Sequence, residues 1–221
     1  GTLEDGAFND LALRVFRFQV RYNPAYGAFA ERRVGDARGV SRWESIPFLP
    51  TRAFKARPLV VGRVEAAQRV FRTSGTTLGR EERGEHYVLD LDLYREALLP
   101  PFRAFLLPEG GAPPVLSLLP SPEEAPDSSL SFMMGEVLRR VAGGAGGFFV
   151  DRAGRLRTEL LYRALEGMVE EGRPVLLAGT AFAFVHWMEE ARERGWRLTL
   201  PEGSRIMETG GYKGKSRALS R

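Results

Sequence analysis

The chain contains no cysteine, and only two of its 221 residues are histidine. The first absence excludes a disulfide scaffold, a thiolate nucleophile and any cysteine-ligated metal. The two histidines, His86 and His186, lie far apart in the sequence and show no metal-ligand spacing. A Gly-x-Ser-x-Gly elbow, the mark of many serine hydrolases, is missing as well. No apolar run approaches the ~20 residues of a membrane span, and the N-terminus lacks a signal-peptide pattern. The expectation is a cytoplasmic protein with no membrane span.

An excess of one charge is also lacking. Lys and Arg number 32 against 28 Asp and Glu, a net charge of +4. Only Lys55, Lys213 and Lys215 are lysines, so nearly all the basic residues are arginine. That preference, with few Asn and Gln, suits a thermophile or a GC-rich genome. No basic stripe interleaves with aromatics, which argues against nucleic acid as a partner.

What is present is an ordinary globular composition, 43% hydrophobic, at a length that fits one domain. Residues 1–65 read as a helical, loop-rich lead-in. Asn9 is placed to cap a helix through Leu11, Phe16 and Val20, with Pro24 after its end. Pro47 and Pro50 predict an extended segment before a short turn. A strand over 66–72 follows.

Residues 66–221 alternate. Helices are predicted from Asp92 through Leu98, after Ser128 or Ser129, over 155–171 and over 181–194. Buried strands are predicted at 115–119, 148–150 and 175–178, with further candidates at 198–200 and 205–207. Short apolar strands alternating with helices predict an α/β fold with a largely parallel sheet flanked by helices. The chain reads as a single α/β domain over 1–221.

Three segments carry chemistry. Phe71-Arg72-Thr73-Ser74-Gly75-Thr76-Thr77-Leu78-Gly79 packs small hydroxyl residues and glycine between a strand and a loop. Such a loop can offer backbone N–H groups and hydroxyls to a polyphosphate, although the Gly-Lys-Ser/Thr ending of a Walker loop is missing. Near the other end, Met207-Glu208-Thr209-Gly210-Gly211-Tyr212 passes from a strand into a Gly-Gly turn. At the carboxyl end of a parallel strand, that turn lies where α/β sheets bind ligands. The third segment passes from strand to helix through Gly179-Thr180 and carries Phe182 and His186. On an apolar helix face, a lone histidine such as His186 is more often a structural residue than a catalyst.

In order along the chain, these segments resemble the adenylate-forming enzymes, and within them the acyl-protein synthetase family known from bacterial luminescence operons. The matches are Ile46-Pro47 to Phe54-Lys55, Phe71 to Thr77, Leu116 to Pro120 with Ser128-Ser129-Leu130, and Glu208-Thr209-Gly210-Gly211-Tyr212-Lys213-Gly214. The resemblance implies the fold of the large N-terminal domain of those enzymes, and ATP-dependent activation of a carboxylic acid, a fatty acid first among them, as an acyl-adenylate. It implies that Thr73, Ser74, Gly75, Thr76, Thr77 and Gly79 hold the phosphates. Glu208, Thr209, Gly210, Gly211 and Tyr212 would border the nucleotide, and Phe182 and His186 would line the acyl pocket. ATP and Mg2+ are the implied cofactors, and an acyl-acceptor protein or a reductase the implied partner.

Three departures qualify that expectation. Leu78 stands where the superfamily usually has glycine, which shifts the close approach of the loop to Gly79. The luminescence enzymes carry the acyl group on a cysteine, and this chain has none. The family's Tyr-Gly-x-Thr-Glu segment and its C-terminal lid are not among these 221 residues. The expectation is thus an enzyme that is incomplete as this chain, the alternative being a non-catalytic nucleotide- or partner-binding remnant of the fold.

Overall fold

In a computed structural model, which describes residues 5–73 and 83–210, the chain divides into two compact units, Gly1–Asp90 and Leu91–Arg221. The first begins with helix α1 (Asp5–Tyr22) and helix α2 (Pro24–Val34). Asn23 separates them. Its side chain accepts from the Tyr26 N–H at 3.2 Å, and Pro24 supplies a first helical residue that has no donor to lose. A Cβ on Gly27 would lie 2.5 Å from the Val20 carbonyl oxygen, so glycine lets the two helices touch. Leu13, Phe16, Ala30, Ala37 and Val40 form the core of this unit.

Asn9, predicted as the N-cap, lies inside α1 instead. The helix starts earlier, with Asp5 in its first turn complementing the dipole. Asn9 reaches across the unit: its amide donates to the Ser41 carbonyl at 3.2 Å, and its oxygen accepts from the Trp43 N–H at 2.8 Å. Residues 46–50 contain no regular element, as the prolines predict, and a short helix α3 (Ala53–Ala56) follows. The strand predicted from residue 66 begins later. Val64–Ala66 is a 3-10 turn, and β1 (Arg69–Arg72) pairs antiparallel with β2 (Glu85–Val88).

The second unit opens with helix α4 (Leu91–Leu106), which continues past Leu98 through Pro100 and Pro101. The prolines remove two backbone donors, and burial of Leu99 and Phe102 holds the segment in place. Strand β3 (Val115–Leu118), helix α5 (Ser129–Arg140), strand β4 (Gly146–Phe148), helix α6 (Thr158–Glu170), strand β5 (Leu176–Gly179), helix α7 (Ala181–Glu193) and strand β6 (Arg205–Glu208) complete the order. The four strands are parallel and ordered β4-β3-β5-β6. This is an α/β fold.

Alternation along the central strands explains the layers. Val115, Leu176 and Ala178 pack on one face with Leu99, Phe102, Met134 and Val137 from α4 and α5. Leu116, Leu118, Val175 and Leu177 pack on the other with Leu161, Leu165 and Ala183 from α6 and α7. Strands buried on both faces read as continuous apolar runs, which is why β3 and β5 are legible in the sequence. Each fully buried Leu or Val contributes about 1.5–3 kcal/mol.

Two local expectations shift. Strand β4 lies two residues earlier than predicted, because Gly146, with a φ of 117°, brings the chain against Val115 where a Cβ would meet the backbone at 2.0 Å. The apolar Leu198-Thr199-Leu200 forms no strand; Leu198 and Leu200 pack on the core beside α7.

Candidate functional site at the carboxyl edge of the sheet

From β3 the chain crosses to β4 on one side, whereas from β5 it crosses to β6 on the other. The carboxyl ends of β3 and β5 therefore flank a topological switch point, the usual ligand position in an open parallel sheet. There β3 is followed by Leu119, Pro120 and Ser121, and β5 runs through Gly179 directly into α7. Thr180 caps that helix, its hydroxyl oxygen accepting from the Ala183 N–H at 3.3 Å. Ser128 caps α5 in the same way from Ser131 at 3.1 Å.

Gly179 is required by packing. Its register partners are Leu118 and Glu208, and a Cβ there would lie 2.8 Å from the Leu118 Cβ. The end of β6 is then tied back to β5. The Thr209 N–H donates to the Gly179 carbonyl at 3.1 Å, and its hydroxyl donates to the same oxygen at 3.3 Å. Gly210 turns the chain at a φ of 65°, and its N–H donates to the Glu208 carboxylate. Glu208, Thr209, Gly210 and Gly179-Thr180 thus share one edge, with Glu208 and Thr209 exposed. Gly211 and Tyr212 lie outside the described residues.

Thr73 closes the neck of the β1–β2 hairpin in the other unit. Its N–H donates to the Gly84 carbonyl at 2.9 Å, its hydroxyl oxygen accepts from the Gly84 N–H at 2.8 Å, and Arg83 Nε donates to its carbonyl at 2.6 Å. Ser74, Gly75, Thr76, Thr77 and Gly79 lie outside the described residues. Next to this neck His86 stacks on Phe54, ring centroids 4.1 Å apart, and burial pushes its imidazole below the usual range.

Phe182 and His186, one turn apart on α7, are exposed. Another face of the same helix carries Phe184, Trp187 and Met188 to a groove of about 690 Å³ that Trp196, Leu198 and Ile206 also line. Sequence reading misses this groove because its lining comes from α6, α7, β6 and the stretch after α7, where Leu198-Thr199-Leu200 resembles a strand. The Tyr162 ring stacks on Trp196 at 4.2 Å, and Arg194 lies over the same indole at 4.8 Å. Further along α7, Thr158 donates to Glu190 at 2.6 Å. That bond, together with Arg194, holds the Glu190 carboxyl below its ordinary range.

Among the described residues no group of three or more His, Asp or Glu is placed to hold a metal. No family model, curated protein or solved structure matches the chain.

Proposed function

We propose that this chain is the nucleotide-binding part of an acid-activating, acyl-adenylate-forming enzyme of the acyl-protein synthetase kind. The observation that carries the reading is the edge at which Glu208-Thr209-Gly210 sits hydrogen-bonded to Gly179, beside a helix N-terminus and one strand from the switch point of a parallel sheet. In the proposed reaction a carboxylate oxygen bonds to the α-phosphorus of ATP. The bond from that phosphorus to the bridging oxygen breaks, and pyrophosphate leaves with the electron pair. The edge would seat the base, with Gly210 leaving room for a planar ring. The hydroxyl loop from Thr73 to Gly79 enters by resemblance alone, as the holder of the phosphates. The groove beside Trp187 and Trp196 suits the apolar tail of a fatty acid.

ATP titration by calorimetry, with pyrophosphate release read separately, tests the reading. Thr209→Ala, which removes the hydroxyl bond to Gly179 and leaves the backbone one, and Ser74→Ala with Thr77→Ala should each weaken ATP about tenfold. Unchanged ATP affinity in both variants refutes the nucleotide assignment. Adding a long-chain fatty acid should shift the emission of Trp187 and Trp196, and an unmoved spectrum removes the groove from the substrate site.

A further inference from the structure

Helix α1 has two apolar faces, and its own unit covers only one. Leu13, Phe16 and Val20 belong to the core. Phe8, Leu11, Val15, Phe18 and Tyr22 follow a 3-4-3-4 spacing and are each 44–50% exposed. At 100° per residue these five fall within an arc of about 80°, roughly opposite the core residues. Trp43, also exposed, extends the stripe by packing edge-on against Phe8 at 5.4 Å. An amphipathic helix needs one apolar stripe to pack on its unit. A second stripe in heptad register is the seam of a helix pair.

We infer that α1 is the dimerisation helix of this protein, and that it packs antiparallel against α1 of a second copy. Charge selects the occupant and the direction. Along one flank of the stripe lie Asp10, in the N-terminal half, and Arg14, Arg17 and Arg21 further on. Antiparallel packing brings Asp10 of each copy alongside Arg17 and Arg21 of the other and opposes the two helix dipoles favourably, which offsets the approach of the two Arg14 side chains near the centre of the flank. Parallel packing would align the two dipoles and set this flank against Ala12 and Gln19 on the opposite flank of the partner helix, leaving Asp10 with no arginine across the seam. The size also suits a pair: six half-exposed side chains, four of them aromatic, leave on the order of 500 Å². Two copies then bury about 1,000 Å², the lower bound for a specific interface. The inference is independent of the nucleotide reading.

Sedimentation equilibrium of the full chain should show a concentration-dependent dimer. Val15→Glu with Phe18→Glu should weaken it at least tenfold while circular dichroism shows the parent's helix content, because neither residue is in the core, and the concentration dependence of the parent's melting temperature should be lost. Orientation is read on the cysteine-free background. Ala7→Cys chains mixed with Arg21→Cys chains should form a disulfide at least tenfold faster than Ala7→Cys alone. In an antiparallel pair the two copies of position 7 stand about 20 Å apart, beyond disulfide reach. A monomer up to about 100 μM, including one that instead binds lipid vesicles, overturns the inference. So does a dimer indifferent to the glutamates, or an Ala7→Cys chain that links to itself as fast as to its mixed partner.

Discussion

Glu136 is buried on α5 and faces three arginines. Arg95 Nε lies 3.2 Å and Arg140 Nε 2.9 Å from its Oε2, and Arg139 donates to the same oxygen. Burial alone would push this carboxyl up, but the bonds from Arg139 and Arg95 outweigh it and hold it below the usual range. A carboxyl whose folded pKa is depressed stabilises fully above its unfolded value of about 4.3 and ceases to do so as pH falls through the folded value. Glu136→Gln should therefore cost roughly 1–2 kcal/mol near neutral pH, since Arg139 and Arg140 are partly in water. The gap from the parent should close below about pH 4, as measured by urea melts across pH. Ser117 and Ser131 present the opposite case: both are buried and both hydroxyls lack a partner among the described residues. A buried hydroxyl with no bond costs about 1–3 kcal/mol, so Ser117→Ala or Ser131→Ala should be neutral or raise stability by about 1 kcal/mol. A loss of more than 1 kcal/mol would show that the hydroxyl is bonded after all.

The elements that packing and polarity dictate together are legible from the residues. Strands β3 and β5 read as uninterrupted apolar runs because both of their faces are covered, and Ser128 and Thr180 announce the starts of α5 and α7. The strand that leads into Glu208-Thr209-Gly210 is legible because strand, acid and glycine fall in sequence order. Misreadings arise where distant residues decide. Asn9 has the chemistry of a cap, but Ser41 and Trp43, folded back over the helix, take its hydrogen bonds. Leu198 and Leu200 alternate like a strand, yet they close a groove beside α7. Glycines divide on the same principle, and a paired substitution tests it. Gly179→Val must push β3 from β5, because even a Cβ meets Leu118 at 2.8 Å, and should cost about 1–3 kcal/mol. Gly167, inside α6 with nothing within 4 Å of an added methyl, should stabilise by about 0.5–1 kcal/mol as Gly167→Ala. Thermal melts of the two variants should move in opposite directions.

At the scale of the molecule, the three clusters of buried apolar residues each lie inside one unit: one in Gly1–Asp90 and two, on either face of the sheet, in Leu91–Arg221. Chains whose cores are separate need not melt in one step. Differential scanning calorimetry should resolve two transitions. Each can be assigned by a core truncation costing about 2–5 kcal/mol, Phe16→Ala for the first unit and Leu161→Ala for the second. The assignment then locates the nucleotide. A ligand that binds only the folded form of one unit stabilises that unit by RT ln(1 + [L]/Kd), about 2.7 kcal/mol at one hundred times Kd. If ATP sits at the carboxyl edge of the four-stranded sheet, it should raise the transition that Leu161→Ala lowers, and Thr209→Ala should remove about half of that rise. A rise confined to the transition that Phe16→Ala lowers would move the nucleotide to the β1–β2 hairpin and take the base away from Glu208-Thr209-Gly210.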